Sequence, residues 1–128
     1  MGLDMYLYDM VITEEHSLAE MDRSQLAYWR KANSIHAWFV DNVQSGVDDC
    51  EFYPVTVEQL KTLLDLCKKA LNAPNIHESL KFLQPRSGFF FGPVDDMDWY
   101  LKDLRNTVEQ LEGILKDPPK EIYYHSSW

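Results

Sequence analysis

Basic residues are what this chain has fewest of. Its 128 residues carry 12 Lys and Arg against 21 Asp and Glu, a net charge of −9, and a nucleic-acid surface normally needs the opposite balance. The shortage is local. Residues 1–64 hold 11 acids and 4 bases, and no Lys or Arg falls between Ala32 and Leu60, where Asp41, Asp48, Asp49, Glu51 and Glu58 lie. That run reads as a solvated surface or as a patch for a basic protein partner. Cysteine is scarce too. Cys50 and Cys67 stand alone without metal-ligand spacing, and His16, His36, His77 and His125 are scattered, so the expectation is reduced thiols in a cytosolic protein with no metal. No apolar run approaches a membrane span, no basic stretch followed by an apolar one opens the chain, and Tyr6 stands where a myristoylation signal after Gly2 wants Ser or Thr. The expected setting is cytoplasmic, with no membrane, no cofactor and no direct nucleic-acid partner.

Aromatics, by contrast, are plentiful: 4 Trp, 7 Tyr and 6 Phe, enough to supply stacking surfaces as well as core. The length suits one domain over residues 1–128, with a real core. Leu3 to Ile12 alternates apolar and polar residues at strand period. Thr13 to Arg23 is polar and acidic, a loop or short turn. From an N-cap at Ser24 to about Gln44 the spacing predicts a central helix, with Tyr28, Ala32, Ile35, Phe39 and Val43 on one stripe, and Ser45-Gly46 ending it. Glu51 to Tyr53 reads as a short edge strand that Pro54 terminates. Thr56-x-x-Gln59 is a capping box opening a second helix with Leu60, Leu63, Leu64, Cys67, Ala70 and Leu71 on its apolar face, stopped by Pro74. Ile76 to Leu83 suits a short helix. Phe89, Phe90 and Phe91, bracketed by glycines, read as a short buried strand. Asp95 or Asp96 caps a last helix with a seam of Met97, Leu101, Leu104, Val108, Leu111 and Leu115, and Glu121 to Trp128 closes the chain as a strand able to pair with the first or third. The predicted class is α+β: three main helices packed on a small, mostly antiparallel sheet made from the two ends and the Phe89–Phe91 segment.

On the predicted central helix, Trp29, Asn33 and His36 fall along one flank. An indole, a carboxamide and an imidazole on successive turns suit a ligand with rings and polar edges, although a satisfied structural histidine is the ordinary reading of His36. Arg30 and Lys31 form a basic pair, either plain surface charge or an anchor for phosphate. Asp95, Asp96 and Asp98 open the last helix, where capping accounts for carboxylates without metal. Ser126 and Ser127 lack a nucleophile elbow, so no catalytic residue is assigned.

The opening MGLDMYLY, the central YWRKAN..IH.WF, the SGFFFG segment, the D.DWYL.DL run and the closing YYHSSW together resemble a family of small accessory proteins of tailed bacteriophages and prophages, across nearly the whole chain. The family brings no catalytic or binding positions to carry over. What the resemblance implies is a setting: a phage accessory protein in a bacterial host cytoplasm, where such proteins counter host defence by sequestering an immune signal or blocking a defence protein.

Residues and resemblance together favour a non-enzymatic protein that binds and sequesters a small nucleotide-like ligand such as a host immune signal. Trp29, Asn33, His36, Phe90 and Trp99 would stack and read edges, with Arg30 or Lys31 at phosphate. A homodimer would let two aromatic flanks build one pocket. Two alternatives stand beside it: an acidic inhibitor of a host defence or nucleic-acid enzyme, and a small nucleotide-acting enzyme with His36 as base.

Overall fold

Both ends of the chain meet in the middle of one sheet. The structure, a computed structural model, describes residues 2–10, 23–86 and 96–128. In order these form β1 (Asp4–Met10), β2 (Arg23–Arg30), α1 (Asn33–Asn42), β3 (Tyr53–Val55), α2 (Val57–Leu71), α3 (Ile76–Leu80), α4 (Met97–Lys116) and β4 (Ile122–Ser127). The four strands are antiparallel in the order β2-β1-β4-β3. The architecture is α+β, with three substantial helices and one short one beside the sheet.

Period-two patterning sets the two faces of the sheet. Met5 and Leu7 of β1, Ala27 and Trp29 of β2, and Ile122, Tyr124 and Ser126 of β4 are buried. On the other face Tyr6 sits opposite Tyr28 and His125, with ring centroids 5.3 Å and 6.2 Å away, cross-strand aromatic pairs of the kind that stabilise a ladder. Between Leu7–Ala27 and Tyr8–Gln25 the β1–β2 register shifts, leaving Leu26 as the extra residue of a bulge.

The predicted helix start at Ser24 is corrected here. Residues 23–30 are a strand, with Ser24 paired to Asp9. Helical spacing over Tyr28, Ala32 and Ile35 was coincidental with a strand that turns Ala27 and Trp29 inward and leaves Tyr28 exposed. Ladder pairing with β1 overrides the local pattern. The chain changes from strand to helix at Lys31, whose φ of 56° is left-handed and whose N–H donates to the Leu3 carbonyl at 2.8 Å. Beyond that corner Asn33 to Val40 are all buried, so α1 is a core helix on every side rather than an amphipathic one. Phe39 stacks on Tyr124 at 3.9 Å between centroids.

At one sheet edge, the Gln110 carboxamide of α4 accepts from the Tyr28 N–H at 2.9 Å and donates to the Tyr28 carbonyl at 3.0 Å. It covers backbone groups that an edge strand would otherwise leave open. At the other edge, Pro54 lies inside β3 rather than after it, tolerated because an edge residue can do without a ladder donor. The Thr56/Gln59 capping box opens α2 as predicted, and Asp96 caps α4 by accepting from Trp99 N–H at 3.1 Å. The buried face of α4 is Tyr100, Leu104, Thr107, Leu111 and Ile114. Leu101, Val108 and Leu115 of the predicted seam flank it, only partly buried. Residues 13–22 of the predicted first loop and the Phe89–Phe91 strand lie outside the described residues. No helix among the described residues is long and apolar enough to cross a membrane.

Candidate functional site

The strand-to-helix corner at Lys31 does more than redirect the chain. Among the described residues, it makes Arg30 and Lys31 part of the lining of a cleft together with Asn33 and Ser34 from α1, Pro85, the N-cap Asp96, and Trp99, Tyr100 and Asp103 from α4. The cleft measures about 380 Å³, within the range that holds a small organic ligand. Arg30 is already engaged: Nη1 lies 2.9 Å from both Asp4 carboxylate oxygens, and Tyr28 donates its hydroxyl to the same group. Lys31 makes no ion pair among the described residues, so its ammonium is the cation of the cleft that stays uncommitted.

Several walls are held rigidly. Asn33 accepts from the Arg86 N–H at 3.3 Å, and the Arg86 guanidinium grips Asp41 at 3.1 and 2.6 Å, tying the segment beside Pro85 to α1. Tyr100 donates its hydroxyl to the Leu83 and Ser79 carbonyls. Against this fixed background Trp99 is 55% exposed, with Lys102 Nζ 4.6 Å from its ring centroid. One turn further along α4 lies Asp103. Its carboxyl makes no hydrogen bond or ion pair among the described residues, and burial pushes it up to about 7, with Lys102 pulling the other way. A carboxyl near neutrality in a cleft is a marker of function.

No family model matches this chain, no curated protein sequence matches it, and no solved structure matches it.

Of the residues singled out from the sequence, Arg30, Lys31, Asn33 and Trp99 come together in this cleft. Trp29 does not join them. It belongs to β2, is 2% exposed, and donates its indole N–H to Thr107 Oγ1 at 2.8 Å. The Thr107 hydroxyl in turn donates to the Asp103 carbonyl at 2.7 Å, so Trp29 steadies the helix turn behind the cleft. The predicted shared flank of Trp29, Asn33 and His36 is therefore not formed, because Trp29 precedes the helix. Phe90 lies outside the described residues.

His36 is fully buried and closed at both ring nitrogens, with Nδ1 2.6 Å from the Tyr124 hydroxyl and Nε2 3.0 Å from Asp48 Oδ2. A carboxylate only accepts, so Nε2 carries the ring proton and Tyr124 donates to Nδ1. Burial lowers the His36 pKa, against an opposing pull from Asp48. Asp48 also accepts from the Trp128 indole at 3.1 Å. Cys67 is buried and its thiol is pushed up to about 12, too weak an acid to supply a thiolate. Among the described residues no group of three His, Cys, Asp or Glu could hold a metal ion.

Asp103 was missed in the sequence because the predicted α4 seam was rotated toward Leu101 and Val108. The available signal was its spacing: Trp99 and Asp103 lie four residues apart, flanking the buried Tyr100 and Leu104.

Proposed function

We propose that this protein binds and sequesters a small, planar, anionic ligand of the nucleotide type in the cleft between the Lys31 corner and α4. The observation that carries the reading is the exposed indole of Trp99 facing a concave site that also holds the uncommitted Lys31 ammonium. An aromatic face takes a base by stacking and a lysine takes phosphate as a point charge. Among the described residues of the cleft none resembles an activated nucleophile or a phosphate loop, which favours holding a ligand over converting it. The resemblance to phage accessory proteins supports a counter-defence setting, in which the ligand is a host immune signal.

Calorimetric titration with cyclic dinucleotides and ADP-ribose-type signals tests this. Trp99→Ala and Lys31→Ala should each weaken binding about tenfold or more, since each removes roughly 1–3 kcal/mol of contact. Absence of heat with every nucleotide would remove the reading. The alternative of an acidic decoy draws on the charge of −9. It is weakened because Asp48 is tied to His36 and Trp128, and Asp49 accepts from the Tyr53 hydroxyl at 2.8 Å.

A further inference from the structure

Resting on the nucleotide-binding reading, we propose that Asp103 is the residue that reads the base, accepting two hydrogen bonds from a ligand edge with adjacent N–H donors, as guanine presents at N1 and its 2-amino group. Three observations converge. Asp103 lines the cleft one helical turn from Trp99 on the same face of α4, so a ring stacked on the indole extends an edge toward the carboxyl. The walls around it are occupied internally: Tyr100 by the Leu83 and Ser79 carbonyls, Arg30 by Asp4, and Asp96 by the Trp99 N–H. Asp103 alone among the acids of the cleft has both oxygens without a hydrogen bond among the described residues. An ionised carboxylate is acceptor-only with two parallel sites, which matches a paired-donor edge and opposes the acceptor at N1 of adenine.

Among the described residues, the charged and titratable groups that line the cleft with Asp103 are Arg30 and Lys31 from the corner, Asp96 at the N-cap of α4 and Tyr100 on α4, and Lys102 acts on it from the same helix. Burial holds the carboxyl near neutrality, so a ligand edge that donates to the ionised form must displace a proton. Binding of a guanine edge then tightens as pH rises from 6 to 8.

The test is calorimetric titration of the wild type and Asp103→Asn with 5′-GMP, 5′-IMP and 5′-AMP at pH 6 and pH 8. At pH 8 the wild type should prefer GMP over IMP, which lacks the 2-amino donor, and over AMP, each by about tenfold. In Asp103→Asn the GMP-to-AMP ratio should fall at least tenfold at pH 8, and the change of that ratio between pH 6 and pH 8, in which the titration of the shared phosphate cancels, should vanish. Comparing GMP with IMP on the wild type needs no variant, so the test survives a folding defect. If the nucleotides bind without discrimination, or the variant keeps the ratio, Asp103 is not the reader and the cleft reading stands. If none binds, both fail together.

Discussion

His36 and Asp103 are both ionisable groups desolvated by the core, and the fold treats them in opposite ways. Around His36 every polar atom is answered: Tyr124 donates to one ring nitrogen, Asp48 accepts from the other, and Trp128 donates to Asp48. The result is a closed network in which a neutral imidazole is held in one tautomer. Around Asp103 the backbone is answered, through Thr107 and Trp29, while the carboxyl faces an open cleft beside Lys31 and Trp99. A satisfied network specifies the core. A desolvated carboxyl with no donor among the described residues costs stability, and on the proposed reading a ligand supplies the missing donors. On the proposed reading, the contrast explains why His36, the residue with the most suggestive chemistry in the sequence, is tied into the core, while an unremarked aspartate lines the candidate cleft.

Breaking the closed network should have the largest effect. His36→Ala removes a buried ring and orphans both the Tyr124 hydroxyl and one Asp48 oxygen, at a cost of roughly 2–4 kcal/mol in urea unfolding. A cost under about 1 kcal/mol would mean that the network is not part of the core. The next effect has the opposite sign. Asp103 has a folded pKa raised to about 7, so the folded state binds more protons than the unfolded between about pH 4 and 7, and stability falls as pH rises through that window. Asp103→Asn should therefore stabilise the protein at pH 8 by on the order of 2 kcal/mol, discounted for its partial exposure, and change little at pH 4. His36 runs the other way: its folded pKa is depressed, so its contribution is present above the unfolded value of about 6.5 and is lost as pH falls below it. Denaturant melts of the wild type and both variants across pH 4–8 check both signs at once. The smallest effect is on the link between the regions. Trp29→Phe keeps one aromatic ring but loses the hydrogen bond to Thr107 and part of a buried indole, costing about 1–2 kcal/mol, read as a modest fall in the unfolding midpoint.

Much of the fold was legible because its signals are local. Alternation marked β1, the closing Glu121–Trp128 run reads as the strand that is β4, the Thr56/Gln59 box opened α2, and an aspartate capped α4. β2 was not legible. Its inward residues Ala27 and Trp29 are also compatible with a helix, and the corner that ends it uses a left-handed lysine where glycine or asparagine would have announced a break. Pro54 misled differently: the edge strand is expected from the sequence, but with the proline as its end, whereas the strand runs Tyr53–Val55 through it. The site was half legible. Arg30, Lys31, Asn33 and Trp99 were identified by residue type, but a continuous helix would have grouped Asn33 with Trp29 and His36. The corner instead sets Arg30 and Lys31 beside Asn33, and packing of α4 brings Trp99 and Asp103 opposite them. That juxtaposition depends on contacts between distant segments, which periodicity does not encode.

The most direct measurement of which region receives a ligand is thermal melting with and without saturating nucleotide, using 5′-GMP, 5′-AMP, cyclic di-GMP and ADP-ribose on the wild type, Trp99→Ala and His36→Gln. A ligand at about a hundred times its Kd stabilises the folded state by about 2.7 kcal/mol, a shift of several degrees. The account predicts that at least one nucleotide raises the melting temperature of the wild type and of His36→Gln by similar amounts, and that Trp99→Ala loses most of the shift. A shift retained in Trp99→Ala and lost in His36→Gln would place the ligand in the core network and contradict the account.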